Sequence, residues 1–312
     1  MPPVREPWGW LFIPRTKGAN QFLMANMAEK VAIVTDSVAC LTRELVAQYG
    51  IRIAPINFYF GNKVYKDWVD ITPDEAYELF LKDPDSFKTS GSNPWDWYKA
   101  CLEASAETKS ILCVTISAKL SGVYNGVLEA KERVQAEFPQ TSIEVLDSEV
   151  ATAAEGFVAL AAARAAAEGK SLAEVTKAAE EMRDKVIFVA FMDTIRHIYR
   201  TGRIPKFAAQ AGAMLNIKPV LTMSSGLVRF IGAVRNRRHG VERMLKMMRE
   251  RVGQSPVHVA VMHAYSQNDA ERLKEQIASE FNCAELWITG FSPVMGYACG
   301  TGTLGLAFYK ED

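Results

Sequence analysis

From Lys30 to about Asp184, short apolar runs alternate with amphipathic stretches of helical period. "KVAIVTDS" and "SILCVTIS" are compact apolar runs that end in polar turns, the signature of strands covered on both faces. "IRIAPINFYF" reads as one strand and "TSIEVLDS" as another, with "GNKVYKD" a turn and a short returning strand. Between them lie helices with legible ends. "LTRELVAQYG" is closed by Gly50. In "ITPDEAYELFLK", Thr72 is the N-cap, Pro73 the first helical residue and Glu75 completes a capping box. "SNPWDWYKACLEASAE" starts in the same way, capped by Asn93 or Ser92 before Pro94. A helix is expected from Ser121 to Phe138, then two Ala-rich helices split by "EGKS", the second boxed by Ser171 and Glu174.

The pattern changes after Asp184. "KVIFVAFMDT" is a strand, "IRHIYRTGRIPKFAAQAGAMLNI" is helical with a break at Thr201-Gly202, and "KPVLTMSSGLVRFIGAV" is a hairpin about Ser224-Ser225-Gly226. A helix over 239–252, a strand "VHVAVMHA", a helix over 268–281, a strand "AELWITGF" and a last strand after the final glycines complete the chain. The prediction is an α/β protein of two domains. Residues 30–184 form an N-terminal parallel-sheet α/β/α domain, and residues 185–312 a C-terminal mixed-sheet α/β domain. Residues 1–29 fit neither and are expected to be a poorly ordered extension, the natural start lying at Met24 or Met27 as an alternative.

Composition narrows the function. Lys+Arg and Asp+Glu both number 36, so no net positive field recommends nucleic acid or an acidic membrane as partner. No apolar run approaches the ~20 residues of a membrane-spanning helix, so an integral membrane protein is not expected. Five cysteines without a C-x-x-C fit a reducing cytoplasm. Four histidines (His197, His239, His258, His263) lack metal-binding spacing, and no metal or cofactor is expected. There is no P-loop and no G-x-S-x-G.

Candidate chemistry collects where parallel strands end, the edge on which open α/β sheets bind ligands. Asp36-Ser37, Ser117, Asp147-Ser148, Thr89-Ser90 and Ser121-Gly122 all fall at strand ends or helix starts. Such hydroxyls at helix N-termini suit an anion such as a carboxylate or phosphate, and the same residue types are ordinary N-caps. A phosphotransfer or hydrolytic enzyme using this Ser/Asp cluster is the alternative to a binding protein. Near the C-terminus, Gly300, Gly302 and Gly305 spell G-x-G-x-x-G. A dinucleotide fingerprint requires a helix and a distant acidic residue after the glycines, whereas only "LAFYKED" follows. A close-packed glycine turn beside a ligand is expected instead.

Seven fragments, "VAIVTDS", "KTSGSNP", "ISAKLSGVYN", "VLDSEVATAAEGF", "RTGRI", "LNIKPVL" and "GTGTLGLAFY", occur in the order found in the DegV family of bacterial fatty-acid-binding proteins, which this chain resembles from Lys30 onward. The resemblance implies a non-enzymatic, cytoplasmic carrier of one long-chain fatty acid, with the carboxylate at the domain junction and the acyl chain in a C-terminal tunnel. It matches Thr89 and Ser90 to the family's "TS" pair and Ser121 and Gly122 to its "SG" pair, as ligands of the carboxylate. Asp36, Ser37, Gly300 and Gly302 complete the candidate binding set. It implies presentation of the lipid to a fatty acid kinase, with Arg203 and the neighbouring Arg200 as docking residues. The family's "THTGPG" is here "YACGTG", which puts Tyr297, Ala298 and Thr301 where the family has threonine, histidine and proline.

Overall fold

The computed structural model describes residues 30–90, 93–204 and 218–311. The N-terminal extension, the alternative cap Ser92 and the expected helix beyond Pro205 lie outside the described residues.

A four-stranded parallel sheet has the order β2-β1-β6-β7, formed by Arg52–Ala54, Val31–Asp36, Ser110–Thr115 and Ser142–Asp147. Every residue of β1 and β6 is buried, which explains their unbroken apolar runs. A six-stranded mixed sheet has the order β10-β9-β8-β13-β11-β12. Its strands are Leu227–Val234, Lys218–Ser224, Ile187–Phe191, Leu304–Lys310, Val257–His263 and Cys283–Gly290. Only β11 and β12 run parallel; the other pairs are antiparallel. The α/β class, with one parallel and one mixed sheet, is the predicted one.

"IRIAPINFYF" is not one strand. It divides at Pro55-Ile56 into β2 and β3 (Asn57–Phe60), and β3 joins a separate antiparallel sheet, β4-β3-β5, with Lys63–Lys66 and Phe87–Thr89. Proline cannot donate to a ladder, so the chain leaves one sheet there and enters another. The strand β5 was not anticipated, because three residues are too few to show a period.

The helices are α1 (Arg43–Tyr49), α2 (Pro73–Lys82), α3 (Pro94–Ser105), α4 (Val123–Glu137), α5 (Ala153–Ala167), α6 (Leu172–Lys185), α7 (Arg196–Arg200), α8 (Arg237–Val252), α9 (Gln267–Glu280) and α10 (Pro293–Cys299). Both capping boxes form, and Asn93 caps α3. Helix α5 is apolar nearly all round because it lies between the two larger sheets. Its Phe157 shares one core with β1 and with Tyr309 of β13. The unpredicted α10 packs on α2 and β5, so a segment from late in the chain closes against the small sheet.

Candidate ligand cavity

A cavity of about 500 Å³ lies where strand ends of the parallel sheet meet α7, the β9–β10 hairpin and α10. That volume is in the range of pockets that bury small molecules. One wall is apolar: Val38, Ile56, Ile116 and Val123 come from the first half, and Ile198, Val228, Val294 and Met295 from the second. The polar wall holds Thr89, Ser90, Ser121, Asn125, Lys119 and Arg203.

Each polar group has a local reason for its place. Thr89 ends β5, and the Ser90 backbone N–H donates to the Asn57 carbonyl at 3.2 Å, extending the small sheet by one bond. Ser121 precedes α4, whose N-cap is Gly122 and carries no side-chain cap. The first-turn N–H groups of α4 are therefore without a side-chain acceptor, and the helix dipole favours an anion in front of them. Neither the Thr89 nor the Ser121 hydroxyl has a hydrogen-bond partner among the described residues. Arg203 turns inward: its Nε donates to the Leu120 carbonyl at 3.0 Å while the side chain lines the cavity. Lys119, which reads as a surface lysine, is exposed and lines the cavity as well, and its Nζ donates to the Ser225 carbonyl at 2.9 Å. Ser117 Oγ donates to the Gly226 carbonyl at 2.7 Å, so the hairpin tip is tied to the loop after β6 by two bonds.

Of the sequence-predicted residues, Thr89, Ser90, Ser121, Gly122 and Arg203 therefore meet around one cavity. Asp36 and Ser37 do not line it. Asp36 is fully buried and accepts from the Val38 and Ile116 N–H groups, at 2.9 and 3.2 Å, and Ser37 Oγ accepts from the Ile56 N–H at 3.1 Å. Gly300 and Gly302 stand behind the wall, at φ values of 78° and 83°. Gly300 faces the His197 ring and Gly302 the Asp193 carboxylate, close enough that a Cβ on either would collide. These glycines form a packed turn, and their neighbours Ala298 and Cys299 are what reach the cavity. Arg200 is turned elsewhere, 4.4 Å over the Tyr297 ring and 3.6 Å from Asp85.

Asn125 was not among the predicted residues; it lies in the first turn of α4 and lines the cavity beside Ser121 and Gly122. At the family-histidine position, Ala298 is 7% exposed and supplies only a methyl group. The Cys299 thiol beside it is pushed up to about 12 by burial and stays neutral. His197 is held below its usual value, chiefly by burial and then by Arg200, and lies behind the cavity rather than in it. His263 is likewise lowered by burial and accepts from the Ser266 N–H at its Nδ1, 3.2 Å away. Among the described residues no cluster of His, Cys, Asp and Glu has the arrangement of a metal site, and no helix is long and apolar enough to cross a membrane.

A parallel α/β sheet joined to a mixed one, with an uncapped helix start and the Thr89 and Ser121 hydroxyls beside a cavity that has one polar and one apolar wall, defines a two-domain α/β protein. The sequence model of the DegV family, described as an uncharacterised protein family, matches residues 30–311, and the chain belongs to that family. A DegV domain-containing protein of Clostridium acetobutylicum is 31% identical, covering 90% of this chain and 98% of the relative. Among solved structures, a DegV family protein from Thermus thermophilus, studied for its fatty acid binding, superposes with a TM-score of 0.82 at 28% identity, covering 90% of this chain and all of that one. DegV of Bacillus subtilis, a fatty acid binding protein, superposes with a TM-score of 0.81 at 25% identity over 91% of this chain.

Proposed function

We propose that this protein binds a long-chain fatty acid, the carboxylate against Thr89, Ser90, Ser121 and the start of α4, and the acyl chain along the apolar wall between the two halves. The observation that carries the reading is the pairing of unpartnered Thr89 and Ser121 hydroxyls with an uncapped helix start at one side of an otherwise apolar cavity. Charge-assisted hydrogen bonds from these donors hold a carboxylate. Each methylene transferred from water to the apolar wall contributes about 0.8 kcal/mol, so a long chain binds without covalent chemistry. The fatty-acid-binding relatives support the same reading.

Binding is favoured over the phosphotransfer or hydrolytic alternative because the strand-end acids and serines face backbone. Asp147 Oδ1 accepts from the Glu149 N–H at 2.9 Å, Ser148 Oγ donates to the Val150 carbonyl at 3.2 Å, and Asp36 and Ser117 are engaged as described. The protein acts as a cytoplasmic carrier that presents its lipid to a fatty acid kinase, and Arg203, at once on the cavity and near its rim, is the residue through which occupancy is sensed. Protein purified without detergent and then denatured should release a fatty acid in near-equimolar amount, detected by mass spectrometry. Release of no lipid, together with no uptake of added oleate, would refute the reading.

A further inference from the structure

Beneath the cavity lies a buried polar network that the binding reading does not use. Glu155 of α5 and Asp36 at the end of β1 are both 0% exposed, and Asp67, after β4, is 3% exposed. The Glu155 carboxyl lies beside Asp36 and accepts a hydrogen bond from Thr35 Oγ1 at its Oε1, 3.3 Å away, while its Oε2 has no partner among the described residues; burial first, and then the Asp36 charge, push it well above the usual carboxylate range. The Ser37 hydroxyl lies beside Asp67 and favours its ionised form, and Asp67 accepts from Ser292 Oγ at 2.5 Å. Ser292 Oγ in turn accepts from the Val294 N–H at 3.3 Å. Four cavity-lining residues thus hang by their backbone N–H groups from this one network: Val38 and Ile116 from Asp36, Ile56 from Ser37 and Val294 from Ser292.

Among the described residues the network contains three carboxyls and no cation. The ionisable groups facing it are acidic or neutral: Asp147 beyond Glu155, the buried Cys40 thiol and the buried Tyr77 phenol of α2. The cations nearest in sequence are engaged elsewhere, Lys66 on Asp96 at 2.5 Å and Arg43 on the Trp68 carbonyl at 3.1 Å. Lys119 and Arg203 line the cavity on its other side, where an anionic ligand would neutralise them.

We propose that the cavity's anionic ligand binds together with a proton, which the Glu155–Asp36–Asp67 network takes up from solvent. The proposal rests on the fatty-acid reading of the cavity. Two effects of binding act in the same direction. A carboxylate brings a further negative charge into the cavity whose wall hangs from the buried acids, and an acyl chain expels water from that wall. Both disfavour the ionised forms, so a carboxylate of the network becomes a carboxylic acid as the ligand enters. Burial already holds Asp36 and Asp67 at about 6, so the uptake falls near neutral pH. By linkage, affinity rises as pH falls, by up to tenfold per pH unit for each proton taken up, between the occupied-state value and about pH 6.

Calorimetric titration of delipidated protein with oleate, at pH 7 in two buffers of different ionisation enthalpy, reads the proton count directly. The expected result is net uptake by the wild type that is reduced in Asp67→Asn and in Asp36→Asn while oleate still binds. Binding without proton exchange, or uptake unchanged in both variants, would overturn the proposal. If either variant fails to fold, difference infrared spectroscopy on the wild type replaces it, with oleate isotopically labelled at its carboxyl carbon. A protein carboxylic-acid C=O band growing on binding supports the network, and growth only of the labelled ligand's own acid band overturns it. An absence of oleate binding altogether sinks the underlying fatty-acid reading, and the proposal with it.

Discussion

Arg203 Nε donates to the carbonyl of Leu120 at 3.0 Å, joining residues 83 positions apart and fastening the segment after α7 to the loop that carries Ser121. The guanidinium is thereby aimed along the polar wall of the cavity. A role in kinase docking alone would leave lipid affinity untouched by its removal. The geometry predicts instead that Arg203→Ala weakens oleate binding about tenfold, the order of one charged hydrogen bond. Arg203→Lys, which keeps the charge and loses the fixed fork, should recover part of it. Equilibrium titration of both variants provides the check.

Thr89→Val and Ser121→Ala each remove an unpartnered hydroxyl from the cavity without enlarging a side chain. Each should cost about 1.5–3 kcal/mol of binding, roughly ten- to 150-fold in Kd, with the melting temperature little changed. Melting curves recorded beside the titrations separate lost contacts from lost folding.

Gly300 combines a φ of 78° with a close face-to-ring contact on His197. Gly300→Ala should destabilise the fold by more than 1 kcal/mol. Adding His197→Ala removes the collision and leaves the backbone strain, so the double variant should recover only part of the loss in a denaturant titration.

The buried aspartates also set a pH dependence of stability. Burial raises Asp36 and Asp67 to about 6 in the folded protein, from 3.8. The folded state therefore binds more protons than the unfolded chain between those values, and stability from these groups rises as pH falls through that window. Above about pH 6 the penalty is fully present, of order 3 kcal/mol for each. Asp67→Asn should flatten the curve of melting temperature against pH between 7 and about 4.5. An unchanged slope would place the protons elsewhere.

Much of the fold was legible because its signals are local. Thr72 with Glu75, Ser171 with Glu174 and Pro94 behind Asn93 announce helix starts by chemistry that needs no distant partner. The break at Pro55, the short β5 and helix α10 were not legible, because their partners lie in other parts of the chain. The site divides in the same way. Thr89, Ser90, Ser121 and Gly122 were found through strand ends and family motifs. Asp36 and Ser37 carry the same residue signature and face inward, since Val38, Ile116 and Ile56 present N–H groups that only the folded chain brings to them. Nothing in "ATAAEGF" announces that Glu155 is sealed between two sheets, because its burial is decided by what packs over α5.

The central claim is that the polar wall holds a carboxylate while the apolar wall holds its chain. Titration of delipidated protein with oleate and with oleate methyl ester, side by side, tests it most directly. The ester keeps the chain and removes the charge. Saturable one-to-one binding of the acid, at least tenfold tighter than the ester and weakened by Ser121→Ala, is the predicted result. Equal affinity for the two, or saturable binding of neither, would contradict it.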